Sequence, residues 1–196
     1  RAVAARVSGR RLQNVNSTAV GGGVAEILTR MVPLLRDLGV EVTWDFIKGD
    51  QAFFNVTKAF HNALHGAPET LTPEMLEIFE ATTESNLREL PITGDVVFVH
   101  DPQPAGLVRA KGTAGRHWVW RCHIDVSNPD PRFWSFLRPI VEQYDAAVFS
   151  MPDFAQRLAV PQYMVAPSID PLSNKNKELD PGVVAATLEK YGIDPG

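Results

Sequence analysis

Asp95-Val96-Val97-Phe98-Val99-His100 is a nearly unbroken apolar run closed at each end by a polar residue. A strand with one wet face alternates apolar and polar residues. A short run without alternation suits a strand covered on both faces, the habit of parallel sheets. Such a strand needs helices above and below it, so the run constrains the whole chain to layers. Residues 117–122, 146–150 and 162–166 read as further strands after it. Residues 12–16 and 40–47 read as strands before it, the second alternating at Val40, Val42, Trp44 and Phe46. Helices separate them. Val24, Ile27, Leu28, Met31, Leu34, Leu35 and Leu38 recur at helical spacing over 23–38, and Gly39 suits the cap that follows. Residues 53–64 and 132–144 are expected helices. Thr72-Pro73-Glu74 is a cap, a first-position proline and an acidic first turn, opening a helix through Met75, Leu76, Phe79 and Leu87. Residues 172–180 are polar and linker-like, and 181–191 form a short closing helix. The expected class is α/β, a Rossmann-like parallel sheet flanked by helices with right-handed crossovers.

The bulk numbers fit that frame. A chain of 196 residues, 44% hydrophobic, suffices for one sizeable α/β domain and is short for two. A net charge of −4 argues against nucleic acid as the main partner. Nor does any apolar stretch approach the length needed to span a bilayer. The single cysteine, Cys122, excludes an internal disulfide and fits a reducing, cytoplasmic setting. Arg1, Arg6, Arg10 and Arg11 precede the first acidic residue, Glu26, and are read as a trimmed start in preference to a transit peptide.

In an open parallel sheet, ligands gather at the carboxyl ends of the strands. The polar residues collect at four such ends: Asn16-Ser17-Thr18, His100-Asp101-Pro102-Gln103, His123-Ile124-Asp125, and Pro167-Ser168-Ile169-Asp170. Between the first strand and its helix stand Gly21, Gly22 and Gly23. Glycine-rich backbone opening a helix offers free N–H groups and a positive dipole end to a phosphate or other anion. The same glycines also serve a turn that needs positive φ. They form neither a Gly-x-Gly-x-x-Gly fingerprint, because Glu26 takes the third place, nor a P-loop.

Each rim residue has a plainer alternative. His100 and His123 can cap strand ends; Asp101 and Asp170 can form turns, and Asp125 can cap a helix. Cys122 and His123 are strand neighbours facing opposite ways, so they form no dyad and Cys122 reads as core. His61 and His65, four apart on a helix, suit the surface better than a metal, and no metal site is expected. Trp118 and Trp120 fill the core or, as the lesser option, stack on a sugar.

Asn16-Ser17-Thr18, Gly21 to Glu26, Phe53-Phe54-Asn55-Val56-Thr57-Lys58 and Phe60-His61-Asn62-Ala63-Leu64 closely resemble the trehalose glycosyltransferring synthase family. So do His100-Asp101-Pro102-Gln103-Pro104, Trp120-Arg121-Cys122-His123-Ile124-Asp125 and Pro167-Ser168-Ile169-Asp170-Pro171-Leu172. That family comprises retaining glycosyltransferases of GT-B fold and lies close to trehalose phosphorylases. The resemblance implies two Rossmann-like domains across a cleft, the N-terminal one holding the acceptor and the C-terminal one most of the nucleotide-sugar. It implies transfer of glucose from NDP-glucose to glucose, giving trehalose with retention. This chain resembles the N-terminal domain: 1–172 as the acceptor-side domain, 173–196 as linker and short helix toward a missing C-terminal GT-B domain. On that reading the fragment alone is inactive, and a homodimer is admitted.

The implied roles follow by residue. His123 and Asp101 are the catalytic candidates. Asn16, Gly21, Gly22, Gly23, His100, Gln103, Arg121, Asp125, Ser168 and Asp170 are the substrate-binding ones. The domain holds no cofactor of its own; NDP-glucose is the donor substrate, with magnesium accompanying the nucleotide where present. Two other readings stand beside this one: half of a trehalose phosphorylase, and a non-catalytic sugar-binding module.

Overall fold

β3 (Val96–His100) lies inside a six-stranded sheet, paired with β1 (Arg11–Asn16) on one side and β4 (His117–Arg121) on the other. The computed structural model describes residues 2–112, 115–170, 173 and 176–194. Pro171 and Leu172, which end one of the resembling blocks and the expected first domain, lie outside the described residues, as does Arg1. β2 (Glu41–Phe46), β5 (Ala146–Phe149) and β6 (Gln162–Met164) complete the order β2-β1-β3-β4-β5-β6, with every pair parallel. The expected α/β class is what the chain adopts.

The helices are α1 (Ala2–Arg6), α2 (Gly23–Asp37), α3 (Gln51–Leu64), α4 (Pro73–Glu89), α5 (Pro131–Val141) and α6 (Pro181–Lys190). Their starts follow from local chemistry. Thr72 Oγ1 accepts from the Met75 N–H at 3.2 Å, and Pro73 stands where a missing N–H costs nothing. Asp50 caps α3 by accepting from the Phe53 N–H at 2.8 Å. Gly39, at φ 81, ends α2 in the left-handed conformation that glycine tolerates best. α5 stops three residues before its expected end. Its last turn gives way to Tyr144, whose buried hydroxyl donates to the Ala105 carbonyl at 2.6 Å. α1 and two short 3-10 turns, Ala105–Ala110 and Pro152–Phe154, have no sequence signal of their own.

The core runs through the sheet. Val97, Val99, Trp118, Trp120 and Phe149 are fully buried, which gives both tryptophans the core role. Phe60 of α3 meets Phe79 of α4 face to face at 5.5 Å and Phe133 of α5 edge-on at 4.9 Å, so one ring joins three helices. α2 packs on β2 through Leu28, Val32 and Val42. α6 has no buried residue.

The strand order fixes where a ligand can enter. From β1 the chain crosses through α2 to β2 at the sheet edge, then returns past β1 to β3. β1 and β3 are therefore neighbours whose outgoing connections diverge, and the crevice between their carboxyl ends is a topological switch point. Truncating Phe60 to alanine removes the joint of three helices. The Phe60→Ala protein is expected to lose about 3–5 kcal/mol of unfolding free energy in urea titration, while Val183→Ala on exposed α6 stays within about 0.5 kcal/mol.

Candidate active site

At the end of β1 the chain turns through Gly21 (φ 75) and Gly22 (φ 80) into α2. An alanine Cβ at either position would touch nothing within 4 Å. Glycine is needed for conformation there, since a side chain in this region costs about 1–2 kcal/mol. Gly22 is the N-cap residue and brings no side-chain cap. The first turn of α2 thus faces a cleft, lined on this side by Gly23, Val24 and Ile27.

At the end of β3 stands Asp101, the one non-glycine residue with positive φ (66) among the described residues. Three bonds hold it there. Its N–H donates to the Arg121 carbonyl at 2.9 Å, and its own carbonyl accepts from Trp120 Nε1 at 3.0 Å. Its Oδ1 accepts from the His123 backbone N–H at 2.7 Å. A strained backbone fixed this firmly is a frequent mark of a working residue. Burial pushes the Asp101 carboxyl up to about 6, against the bond from His123 and the nearby Arg121 charge, which pull it down.

At the end of β4 the His123 ring stacks on that of His100, with centroids 5.2 Å apart. His100 Nδ1 lies 2.9 Å from His123 Nε2, and His100 Nε2 lies 3.1 Å from Asn14 Oδ1 on β1. His100, 4% exposed, is held down to about 3 by burial and by the charges of His123 and Arg121. Burial and Arg121 hold His123 down to about 4. Both rings are neutral at physiological pH. The buried chain Asn14–His100–His123 bridges the switch point.

Asp101 and His123 share a cleft of about 320 Å³ with Gly23. That volume falls within the range of small-molecule sites. His61 lines it from α3, Ser150 from the end of β5 and Pro167 from the segment after β6. His61 is half-buried, and burial first, then His65 and Lys58, lower its pKa. Its ring lies 4.5 Å from that of His65. Among the described residues no group of three metal-ligating side chains forms.

Other expected site residues are engaged elsewhere. Asn16 accepts from Trp44 Nε1 and donates to the Thr18 carbonyl, both at 2.8 Å, shaping the turn after β1. The Arg121 guanidinium donates to the carbonyls of Phe149 (3.0 Å) and Val165 (2.7 Å), tying three strand ends together. Gln103 lines a separate cavity of about 10 Å³ with Thr83 and Asn86. Asp125 forms a turn with the Ser127 N–H at 2.8 Å, and hydrogen bonding to Ser127 lowers its pKa. Asp170 pairs with Arg30 of α2 at 3.0 Å, and Ser168 is exposed next to the lining Pro167. Cys122 is buried, its thiol pushed up by burial, as a core residue's would be. Asn14, His61 and Ser150 lie outside the expected site. His61 carries the one usable signal: it directly follows the core residue Phe60 on a helix and so points off the packed face.

Comparison with known proteins bears on the fold and the family. A solved E. coli structure, described as trehalose-6-phosphate bound with UDP-2-fluoro glucose, matches with a TM-score of 0.64 at 12% identity. The match covers 93% of this chain and 54% of that one. At that identity the match speaks for the fold alone, and this chain corresponds to about half of that one. A family model described as "Trehalose synthase, N-terminal domain" matches residues 14–156. The chain is 45% identical over 199 residues to a trehalose synthase of Thermococcus litoralis, covering 100% of this chain and 48% of that protein. It is 30% identical to a trehalose phosphorylase of Pleurotus sajor-caju, covering 85% of this chain and 25% of that protein. The chain belongs to the trehalose synthase N-terminal domain family, and it spans about half the length of the trehalose synthases it matches. Among the described residues, no helix is long and apolar enough to cross a membrane.

The neutral histidines set a pH dependence of stability. Between about pH 4 and 6.5 the unfolded chain binds protons on His100 and His123 that the folded chain refuses. Asp101 acts oppositely: from its ordinary 3.8 up to about 6, the folded chain keeps a proton that the unfolded chain has lost. Two protons outweigh one, so these three groups together lower stability as pH falls through this window. His100 alone sets a slope of about 1.4 kcal/mol per pH unit. In urea titrations, the stability advantage of the parent protein over His100→Gln is expected to shrink from pH 6.5 to 4. A constant difference would contradict the buried neutral ring.

Proposed function

We propose that this domain is the acceptor side of a retaining glucosyltransferase that joins glucose from an NDP-glucose to free glucose, giving trehalose. One observation carries the reading: Asp101, His123 and the amino end of α2 line a single cleft at the switch point. Acceptor groups stand on one wall, suited to sugar hydroxyls. Backbone N–H groups and a helix dipole stand on the other, suited to phosphate. The E. coli neighbour is bound with UDP-2-fluoro glucose, a UDP-glucose analogue, which supports a nucleotide-sugar donor.

In this reaction the bond between glucose C1 and the donor phosphate oxygen breaks, and C1 bonds to the acceptor's anomeric hydroxyl oxygen. The acceptor proton passes to the leaving phosphate, so no protein nucleophile is needed. Asp101 and His123 accept hydrogen bonds from the acceptor glucose and orient its attacking hydroxyl. The α2 amides meet charge as it develops on the departing diphosphate. The other half of the GT-B cleft contributes most of the nucleotide contacts, so this chain alone binds sugar weakly and turns nothing over. The cytoplasm, where nucleotide-sugars are made, is the expected setting.

The 30% identity to a trehalose phosphorylase supports a second reading, in which orthophosphate and trehalose replace the nucleotide pair. Assays of the full-length protein separate the two. Trehalose is expected from NDP-glucose plus glucose, and no glucose 1-phosphate from trehalose plus phosphate. Asp101→Asn and His123→Ala are each expected to lower kcat/KM for glucose about a hundredfold. Unchanged transfer in both variants would remove them from the site.

A further inference from the structure

We infer that Asn14 and His100 are positioning residues that fix which nitrogen of His123 carries its proton, so that His123 faces the sugar as a hydrogen-bond acceptor through Nδ1. The proton positions follow one from the next along a line of buried atoms. Asn14 Nδ2 approaches the Thr43 carbonyl of β2 at 3.4 Å. A carbonyl only accepts, so the nitrogen of the amide must face it and the oxygen must face His100. An amide oxygen also only accepts, so His100 Nε2, 3.1 Å away, carries a proton. Both nitrogens of the buried His100 ring meet neutral partners, Asn14 and His123, and burial keeps the ring uncharged. A neutral ring has one proton, so His100 Nδ1 is a lone pair. The hydrogen bond across 2.9 Å then takes its proton from His123 Nε2. His123 is neutral too, and its Nδ1 is left as a lone pair on a ring that lines the cleft.

The consequence is chemical polarity. Asp101 Oδ1 is anchored to the His123 N–H, which fixes the carboxylate beside that ring. The two side chains together make a wall of acceptors matched to hydroxyl donors. Were the His123 proton on Nδ1, the same ring would be a donor and would suit a carbonyl or a phosphate oxygen. The identity of the hydroxyl as glucose rests on the proposed function; the position of the proton does not.

Nitrogen-15 NMR of the histidine rings reads the proton positions directly, and the chain has five histidines to resolve. Near neutral pH, His100 and His123 are both expected to show a protonated Nε2 and a bare Nδ1. Glucose is expected to shift His123 Nδ1 toward the hydrogen-bonded range. A His123 ring protonated at Nδ1, or a Nδ1 signal unmoved at saturating glucose, would overturn the inference. In Asn14→Leu the His100 Nε2 proton loses its acceptor, and the ring is better satisfied by carrying it on Nδ1 toward His123. His123 is then expected to shift toward the Nδ1-protonated form, with kcat/KM for glucose in the full-length protein down about tenfold to a hundredfold. A folded Asn14→Leu protein whose His123 keeps its proton on Nε2 would overturn the role of Asn14. Failure of the proposed function reads out separately, as absent trehalose formation by the parent protein.

Discussion

The pairing of β3 with β1 on one side and β4 on the other is the constraint from which the site follows. Both pairings are parallel, so the three strands deliver their carboxyl ends to one edge. Pairing also sets the register. His100 stands opposite Arg121, which brings Asp101 level with Cys122 just beyond the ladder and its carboxylate onto the His123 N–H. Slipping β3 by one residue would turn Val97 and Val99 out of the core and exchange His100 with its neighbours on the face it occupies. Buried valines thereby hold the catalytic candidates in place, although neither valine touches the cleft.

The electrostatics of this edge rest on neutrality. A buried histidine with a carboxylate partner would charge, and so would a histidine left in water below pH 6.5. Here the partner is an amide, and the ring stays neutral. Asp101 meets the opposite demand. Burial pushes its carboxyl up, while the His123 N–H and Arg121 hold it near 6 and leave it ionised at neutral pH. Arg121 serves this balance from outside the cleft, with its guanidinium bound to two backbone carbonyls. Its charge acts over distance while both terminal nitrogens donate to backbone, so the wall formed by Asp101 and His123 keeps its acceptors.

Periodicity makes the layers legible. The unbroken run at 96–99 declares a covered strand, and the apolar stripe of α2 declares a helix packed on the sheet, at β2. β1 is harder, because Gln13, Asn14 and Asn16 are buried polar residues in a strand of six. Each has its partners on other strands or loops, and strand composition does not reveal such partners. The site is legible where chemistry follows a strand end directly, at His100-Asp101 and at His123. It is obscure where a lining residue comes from another layer: His61 reaches the cleft because α3 passes beside it. Gln103, Arg121 and Asn16 show the converse. A polar residue near a strand end is a candidate by position, yet Arg121 and Asn16 are taken up by neighbouring groups, and Gln103 lines a side cavity with its Oε1 buried and without a hydrogen-bond partner among the described residues.

Asp101 explains why such an edge resists simplification. Its left-handed backbone would suit glycine best, and asparagine tolerates it well. Glycine would relieve the strain but remove the oxygen that receives the His123 N–H. Asparagine would keep that oxygen and put an NH₂ where the second carboxylate oxygen stands, turning an acceptor into a donor. Only a carboxylate satisfies the backbone N–H and still offers an acceptor to the cleft. Two demands therefore meet at one residue: the turn out of β3 takes positive φ, and the proposed reaction uses an anion fixed to β4.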